Sequence, residues 1–405
     1  MSYRTSSEPA VEHQQRRPSC RELVARACAL RPVLTDHCAE GELQRRLPEP
    51  VSDALTDAGL FRLLTPARFG GYACDLRTML KVTQTLGETD GSASWVVAVG
   101  ATTAWAVSQI GSIQVQEEIF GPSPDVRLAS TTTPGTARPV EGGLLISGRW
   151  PYMSGAHHAD WAFVGATVTD GPEQAINAKL CAVPMEQLLL EKSWYTVGMR
   201  ATGSDTVVAK NVFVPDRRIV PMSAIAVEPP PGTADRSSFG PPFATVTTVG
   251  LIGPLLGLGS AALKLVLEKA PTKPLHNTSF ARQSDSAGVQ IQVAQAAVGL
   301  RTAELHAYDI VDALDEAAKK GHLVTYARRT EMRARLGYLA QQVIDVISTL
   351  TNVHGASSFA ESSRLQQYWR DANTAARHAA LQPIVGYEIY GKALLGIAER
   401  ISSVV

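Results

Sequence analysis

Residues 142–161 read GGLLISGRWPYMSGAHHADW (Gly142–Trp161). A short alternating run, Gly143-Leu144-Leu145-Ile146-Ser147, gives way to Pro151 and Gly155 before a second run opens at Trp161 and continues to Val168. Comparable runs follow at Lys179–Val183 and Thr206–Val214, each set off by glycine or proline. Alternation broken by turn residues predicts a small antiparallel sheet or barrel over about Asp125–Arg218. Outward from this module the texture becomes helical. Upstream, Leu23, Val24, Ala27 and Leu30 keep helical spacing, and apolar helices are expected near Thr78–Leu86, Ser92–Ile110 and Gln116–Phe120. Downstream, residues 228–242 (EPPPGTADRSSFGPP) cannot hold a helix. After them, long helical periods run at Thr245–Glu268, Ala287–Lys319, Leu323–Thr351 and Ala375–Ile401.

The expected organisation is therefore α+β: an N-terminal α-helical domain over 1–123, a middle β domain over 124–228, a proline-rich linker over 229–242 and a C-terminal helical bundle over 243–405. The 405 residues carry 38 basic and 38 acidic side chains, so no basic excess exists to neutralise nucleic-acid phosphates. No apolar run is expected to reach the roughly 18 residues of a membrane span. The polar N-terminus, with Glu8, Glu12, Arg16 and Arg17, lacks a signal-peptide core. A soluble, cytoplasmic protein bound to neither nucleic acid nor membrane is expected. Five cysteines (Cys20, Cys28, Cys38, Cys74, Cys181) show no zinc spacing and read as free thiols. His157-His158 is no better a metal site, because neighbours in sequence rarely point the same way. The glycines of Gly250–Gly259 (GLIGPLLGLG) follow no strand and read as close helix packing.

Several motifs in this order carry a resemblance: LTPARFGG (Leu64–Gly71), GETDGSASWV (Gly87–Val96), STTTPGTA (Ser130–Ala137), the Gly142–Trp161 stretch, GMRATGSDTVVAKNVFVP (Gly198–Pro215) and LQQYWRDANTAARHAALQP (Leu365–Pro383). Over about residues 20–400 the chain resembles the acyl-CoA dehydrogenase fold superfamily. The resemblance implies a helical domain, a middle β-barrel or sheet, a C-terminal four-helix bundle, a bound flavin and a homotetramer.

Dehydrogenases of that superfamily need a carboxylate to deprotonate carbon. One branch places it nine residues after the Arg of an Arg-Asp pair. Here the pair is Arg370-Asp371 and the matching residue is Ala379, with no Asp or Glu anywhere in 372–387. A second branch places it on the first C-terminal helix, where 236–267 also lack an acid. Beside Ala379 stands His378. That residue resembles the helix histidine of the oxygenase component of two-component flavin-dependent monooxygenases, whose members hydroxylate phenols and aromatic polyketides or oxygenate amines and amino sugars. The resemblance implies that His378 and Ser154 are catalytic. Ser154 would hydrogen-bond the flavin near its reactive nitrogen and shelter a flavin hydroperoxide. Tyr152, Thr131, Thr133 and Arg282 would bind the cofactor, Arg282 from a neighbouring subunit. Trp105, Thr103 and His378 would meet the substrate, Thr103 standing where aromatic hydroxylases of the group usually carry a histidine.

The activity implied is hydroxylation of an aromatic or phenolic substrate, polyketides included. It would use O2 and reduced flavin (FMNH2 or FADH2) delivered by a separate flavin reductase, without a metal. His378 would accept or share the phenol proton. Amine N-oxygenation, and an acyl-CoA dehydrogenase with a base such as Glu388, remain the alternatives; a flavin-free binding protein is a third.

Overall fold

The computed structural model describes residues 17–168, 178–222 and 242–402. Three short helices open it, Cys20–Ala29 (α1), Arg31–Asp36 (α2) and Cys38–Gln44 (α3), followed by Glu49–Asp57 (α4). Three more follow: Leu76–Gly87 (α5), Gly91–Ile110 (α6) and Ile113–Phe120 (α7). Each start has a chemical cause. Ser19 and Glu22 form a reciprocal cap on α1, and Asp75, Asp90 and Ser112 accept backbone N–H groups of the first turns of α5, α6 and α7.

The middle of the chain forms strands Leu128–Val140 (β1), Gly143–Trp150 (β2), Trp161–Val168 (β3), Ala178–Pro184 (β4), Leu189–Glu191 (β5), Thr206–Pro215 (β6) and Ile219–Pro221 (β7). They make one sheet in the order β5-β6-β2-β1-β3-β4-β7. The sheet is mixed, which corrects the expected antiparallel one: β1 and β3 run parallel, with a break in register between Thr131 and Pro134. Period-two alternation reports which face is buried and is blind to strand direction. The proline-rich connection at 229–242 lies outside the described residues, save Pro242.

The C-terminal part contains Phe243–Gly250 (α8), Ile252–Lys269 (α9), Ala287–Lys320 (α10), Tyr326–His354 (α11), Arg364–Ala375 (α12) and Pro383–Leu394 (α13). The expected helix from Ala375 to Ile401 is not continuous. α12 stops at Ala375, a single 3-10 turn spans Ala379–Leu381, and Pro383 starts α13. Proline in a helix interior clashes with the preceding turn, whereas at the first turn it costs nothing. His378 therefore sits on a turn between helices and not within one.

Helices from both ends of the sequence share a single apolar core, running from Leu23 and Leu55 through Val97 and Leu258 to Leu339 and Leu381. A second core, including Ile146, Trp150, Val164 and Val207, lies under the sheet. Two segments, Gly91–Ile110 and Phe243–Lys269, are long and apolar enough to cross a membrane by length and composition, contrary to the expectation that no such run exists. Both are largely buried within the fold.

The glycine-rich run of α9 does pack closely. A Cβ on Gly257 would lie 2.4 Å from the Gln84 carbonyl oxygen and 2.5 Å from the Gly87 carbonyl carbon, both of them backbone atoms of α5. Backbone cannot rotate aside as a side chain can. Gly257→Ala should destabilise the protein by about 1–3 kcal/mol, read as a lower denaturant midpoint at unchanged slope.

Candidate active site

The site begins where β2 ends. Trp150 is fully buried and donates its indole N–H to the Gly165 carbonyl at 2.9 Å, which pins the end of the strand. The chain then turns through Tyr152, held in the left-handed region at φ 62°, and Gly155 at φ 77°. This turn is clipped to the segment before β6: Met153 N–H donates to Asp205 O at 3.2 Å, and Gly155 N–H to Thr202 O at 2.9 Å. Ser154 is thereby held half-buried between them.

Three segments distant in sequence converge here. The Trp95 indole N–H of α6 donates to Ser154 Oγ at 3.1 Å. Ser154 Oγ lies 2.8 Å from Ser204 Oγ, which lies 2.7 Å from Thr202 Oγ1. On the other side the Trp95 ring meets the His378 imidazole edge-on, with centroids 5.9 Å apart. One indole thus joins the two residues expected to be catalytic. Trp95, Ser204 and Thr202 complete the site without having been singled out from the sequence, although the motifs GETDGSASWV and GMRATGSDTVVAKNVFVP carry them.

His378 caps the turn that follows it: Ala380 N–H donates to Nδ1 at 3.2 Å. That bond uses the lone pair of Nδ1, so in the neutral ring the proton resides on Nε2. His378 is exposed on this turn, its ring leaning against that of Trp95. Desolvation, aided by the positive charge of Arg333, lowers its pKa below the ordinary histidine value. Arg333 is buried, donates Nη2–H to the Ala379 carbonyl at 3.2 Å, and leaves Nη1 without a hydrogen-bond partner. Position 379 thus carries an alanine whose carbonyl serves an arginine, and Glu388 is exposed on α13.

The remaining expected residues divide into two groups. Thr103 is buried on α6 with Oγ1 2.8 Å from Ser130 Oγ of β1. Thr131 and Thr133 bond each other at the break in β1, Thr133 being exposed there. Tyr152 is 69% exposed and touches Trp194 edge-on at 6.1 Å. Trp105 and Arg282 stand elsewhere. Trp105 packs against Phe243 and lines a cavity of about 480 Å³ with Leu64, Arg68, Cys74 and Gln116, whose walls include neither Ser154 nor His378. Arg282 is exposed and paired with Asp285 at 2.9 Å. The two adjacent histidines diverge: His157 Nε2 is 2.7 Å from Asp205 Oδ2, and His158 Nε2 is 2.8 Å from the Leu47 carbonyl.

Comparison with known proteins places this geometry. The family description "Acyl-CoA dehydrogenase, N-terminal domain" matches residues 11–123, and "Acyl-CoA dehydrogenase, C-terminal domain" matches 249–383. The chain is 30% identical over 377 residues to the flavin-dependent monooxygenase oxygenase subunit HsaA of Mycobacterium tuberculosis, covering 91% of this chain and 94% of that one. It belongs to the flavin-dependent monooxygenase oxygenase subunits, on the acyl-CoA dehydrogenase fold. The structure of XiaF from Streptomyces sp., solved with FADH2 and glycerol, superimposes with a TM-score of 0.89 at 36% identity, covering 95% of this chain and 97% of that one. The FADH(2)-dependent resorcinol hydroxylase oxygenase component of Rhizobium sp. is 25% identical over 96% of this chain and 98% of its own.

The residues of this oxygenase subunit fit a flavin. Tyr152 presents an exposed aromatic ring, Thr131 and Thr133 offer hydroxyls on the sheet surface, and Ser154 is hydrogen-bonded from the inside with one side left open. The loop that supports them is tied to α12 by Asp371, whose Oδ1 accepts Met199 N–H at 2.5 Å. Burial, reinforced by nearby Glu42, pushes the Asp371 carboxyl up to about 7 against the pull of that hydrogen bond. A carboxyl whose pKa is higher folded than unfolded contributes stability at low pH that is lost as pH rises through the folded value. The Asp371 contribution to thermal stability should therefore fall from about pH 4, near the unfolded carboxyl value, to about pH 7 and level off above it. Asp371→Asn, which keeps the acceptor oxygen, should flatten that slope when melting temperature is followed against pH.

Proposed function

We propose that this oxygenase subunit hydroxylates a phenolic ring, with Ser154 set against the flavin and His378 against the phenol oxygen. The observation that carries the reading is the convergence of Ser154 and His378 on Trp95 from segments far apart in sequence. Relatives named as hydroxylases of aromatic compounds support the substrate class. Reduced flavin, delivered by a separate reductase as two-component systems require, supplies the two electrons that activate O2.

The chain's own residues then have definite tasks. The buried faces of Trp95 and Met153 keep water from the Ser154 side. His378, its pKa lowered and its proton carried on Nε2, donates a hydrogen bond to the phenol oxygen and so stabilises the electron-rich phenolate left when the phenol gives its proton to solvent. This refines the role expected from sequence: accepting the phenol proton would require a nitrogen lone pair, and that of Nδ1 is already occupied by Ala380 N–H.

A homotetramer belongs to the same proposal. Ile291, Val298 and Leu305 recur every seven residues along α10 and are each more than half exposed, as are Ile384, Leu394 and Leu395 at the C-terminal end. Apolar stripes of this kind suit a second copy, and they give Arg282 a neighbouring subunit to reach. Free thiols and a reductase partner fit a reducing, cytoplasmic setting.

The test supplies reductase, O2 and a panel of phenols and reads product mass for the gain of one oxygen. His378→Ala should lower turnover about 10²–10⁴-fold. His378→Asn retains both a capping oxygen and an N–H donor and should recover at least a tenth of the lost activity on a donor role, whereas a base role predicts no recovery. The acid limb of kcat/KM should fall below the ordinary histidine pKa of about 6.5, activity being lost only as His378 becomes charged. Equal activity of wild type and His378→Ala would sink the assignment.

A further inference from the structure

A row of hydroxyls leads inward from half-buried Ser154, and counting hydrogens fixes its direction. Thr202 Oγ1–H donates to the Met199 carbonyl at 2.8 Å, and a carbonyl can only accept. Its one hydrogen being used, Thr202 accepts from Ser204 at 2.7 Å; Ser204 in turn accepts from Ser154 at 2.8 Å. The Trp95 indole, which can only donate, gives its hydrogen to Ser154 at 3.1 Å. Reversing the row would set the Thr202 and Met199 oxygens against each other with no hydrogen between them. Trp95, Ser204 and Thr202 are buried, and Ser154, half-buried, is the one outlet of the row. With its hydrogen committed inward and one lone pair taken by Trp95, Ser154 Oγ keeps one lone pair and nothing to donate.

We infer that Trp95, Ser204 and Thr202 are positioning residues that hold Ser154 as a hydrogen-bond acceptor toward the cofactor, and that the direction of this row sets the balance between reduced and oxidised flavin at the site. This rests on the reading above that the flavin ring meets Ser154. The chemistry follows from the ring itself. Reduced flavin carries a hydrogen on the central nitrogen N5 and finds an acceptor waiting. Oxidised flavin presents a lone pair there and meets another lone pair. A ligand shifts a preference only by what it gains in one state and not the other, and here that difference is the orientation of one hydroxyl. The row is formed before the cofactor arrives, so no reorganisation is needed on binding the reduced form.

The test measures binding and potential, not turnover. FMN and FAD, oxidised and dithionite-reduced under anaerobic conditions, are titrated into the full-length protein, and the midpoint potential of the bound flavin is recorded. Wild type should bind the reduced form more tightly. Ser204→Ala releases the Ser154 hydrogen, which can then turn to oxidised N5; the reduced-to-oxidised affinity ratio should fall about tenfold, equivalent to about 30 mV lower potential for a two-electron couple. Thr202→Val should act in the same direction, and Thr202→Ser, which keeps the hydroxyl, should restore the wild-type ratio. Where Ser204→Ala impairs folding, Ser204→Cys, a weak donor of similar shape, should give the same fall. An unchanged ratio in the Ser204 and Thr202→Val variants while Ser154→Ala alters it overturns the row as the cause. An unchanged ratio in Ser154→Ala overturns the placement of Ser154 against the flavin, and this inference with it.

Discussion

The peptide groups at Met199 hold the site together. The residue stands in the left-handed region at φ 52°, its N–H bonded to Asp371 of α12 and its carbonyl oxygen accepting both Thr202 Oγ1–H and Trp194 Nε1–H. One residue thereby links the C-terminal helices, the loop before β6 and the inner end of the hydroxyl row. Its neighbour Gly198 has no room for a side chain: a Cβ there would lie 2.2 Å from the Arg370 carbonyl oxygen. The segment and α12 are thus in backbone contact. The direction of every hydroxyl out to Ser154 follows from that one acceptor.

Charge around this link is buried and only partly balanced. Glu42 pairs with Arg370 at 2.9 Å, and Asp90 caps α6 from full burial, its carboxyl raised above the ordinary range by desolvation. Arg364, which bonds Cys38 and the Thr89 carbonyl, brings positive charge to the same region. Removing one partner from such a cluster strands another charge away from water, and that costs more than the pair contributed. Ser154 and His378 each keep hydrogen-bonding capacity beyond the bonds described, a lone pair on Ser154 Oγ and Nε2 of His378.

Much of this was legible in the sequence. Alternation over Gly143–Ser147 and Thr206–Val214 identified strands, and the break at Pro151–Gly155 identified the turn that carries Ser154. The absence of an acid at Ala379 pointed away from carbon deprotonation. What escaped had definite physical causes. The run Ala375-Ala376-Arg377-His378-Ala379-Ala380 has high helix propensity, yet Pro383 and the cap made by His378 Nδ1 turn it into a 3-10 step. The parallel pairing of β1 with β3 leaves no mark on a period of two. The hydroxyl row joins residues fifty apart whose side chains become neighbours only through the Gly155–Thr202 clip. Trp105 lies ten residues beyond Trp95 on the same helix, and that spacing turns it toward another cavity.

The continuity of the main core has a consequence for how the molecule is made. Leu23 and Leu381 belong to the same buried cluster, which also takes in Met199 and Ala201 from the sheet region. Contacts between such distant positions require closing very long loops before any reward is gained, and they slow folding. During synthesis α1 can pack on α5 early, but the faces that α5 and α6 turn toward α9 stay uncovered until that helix emerges. A chain cut short anywhere in that interval exposes those faces to self-association.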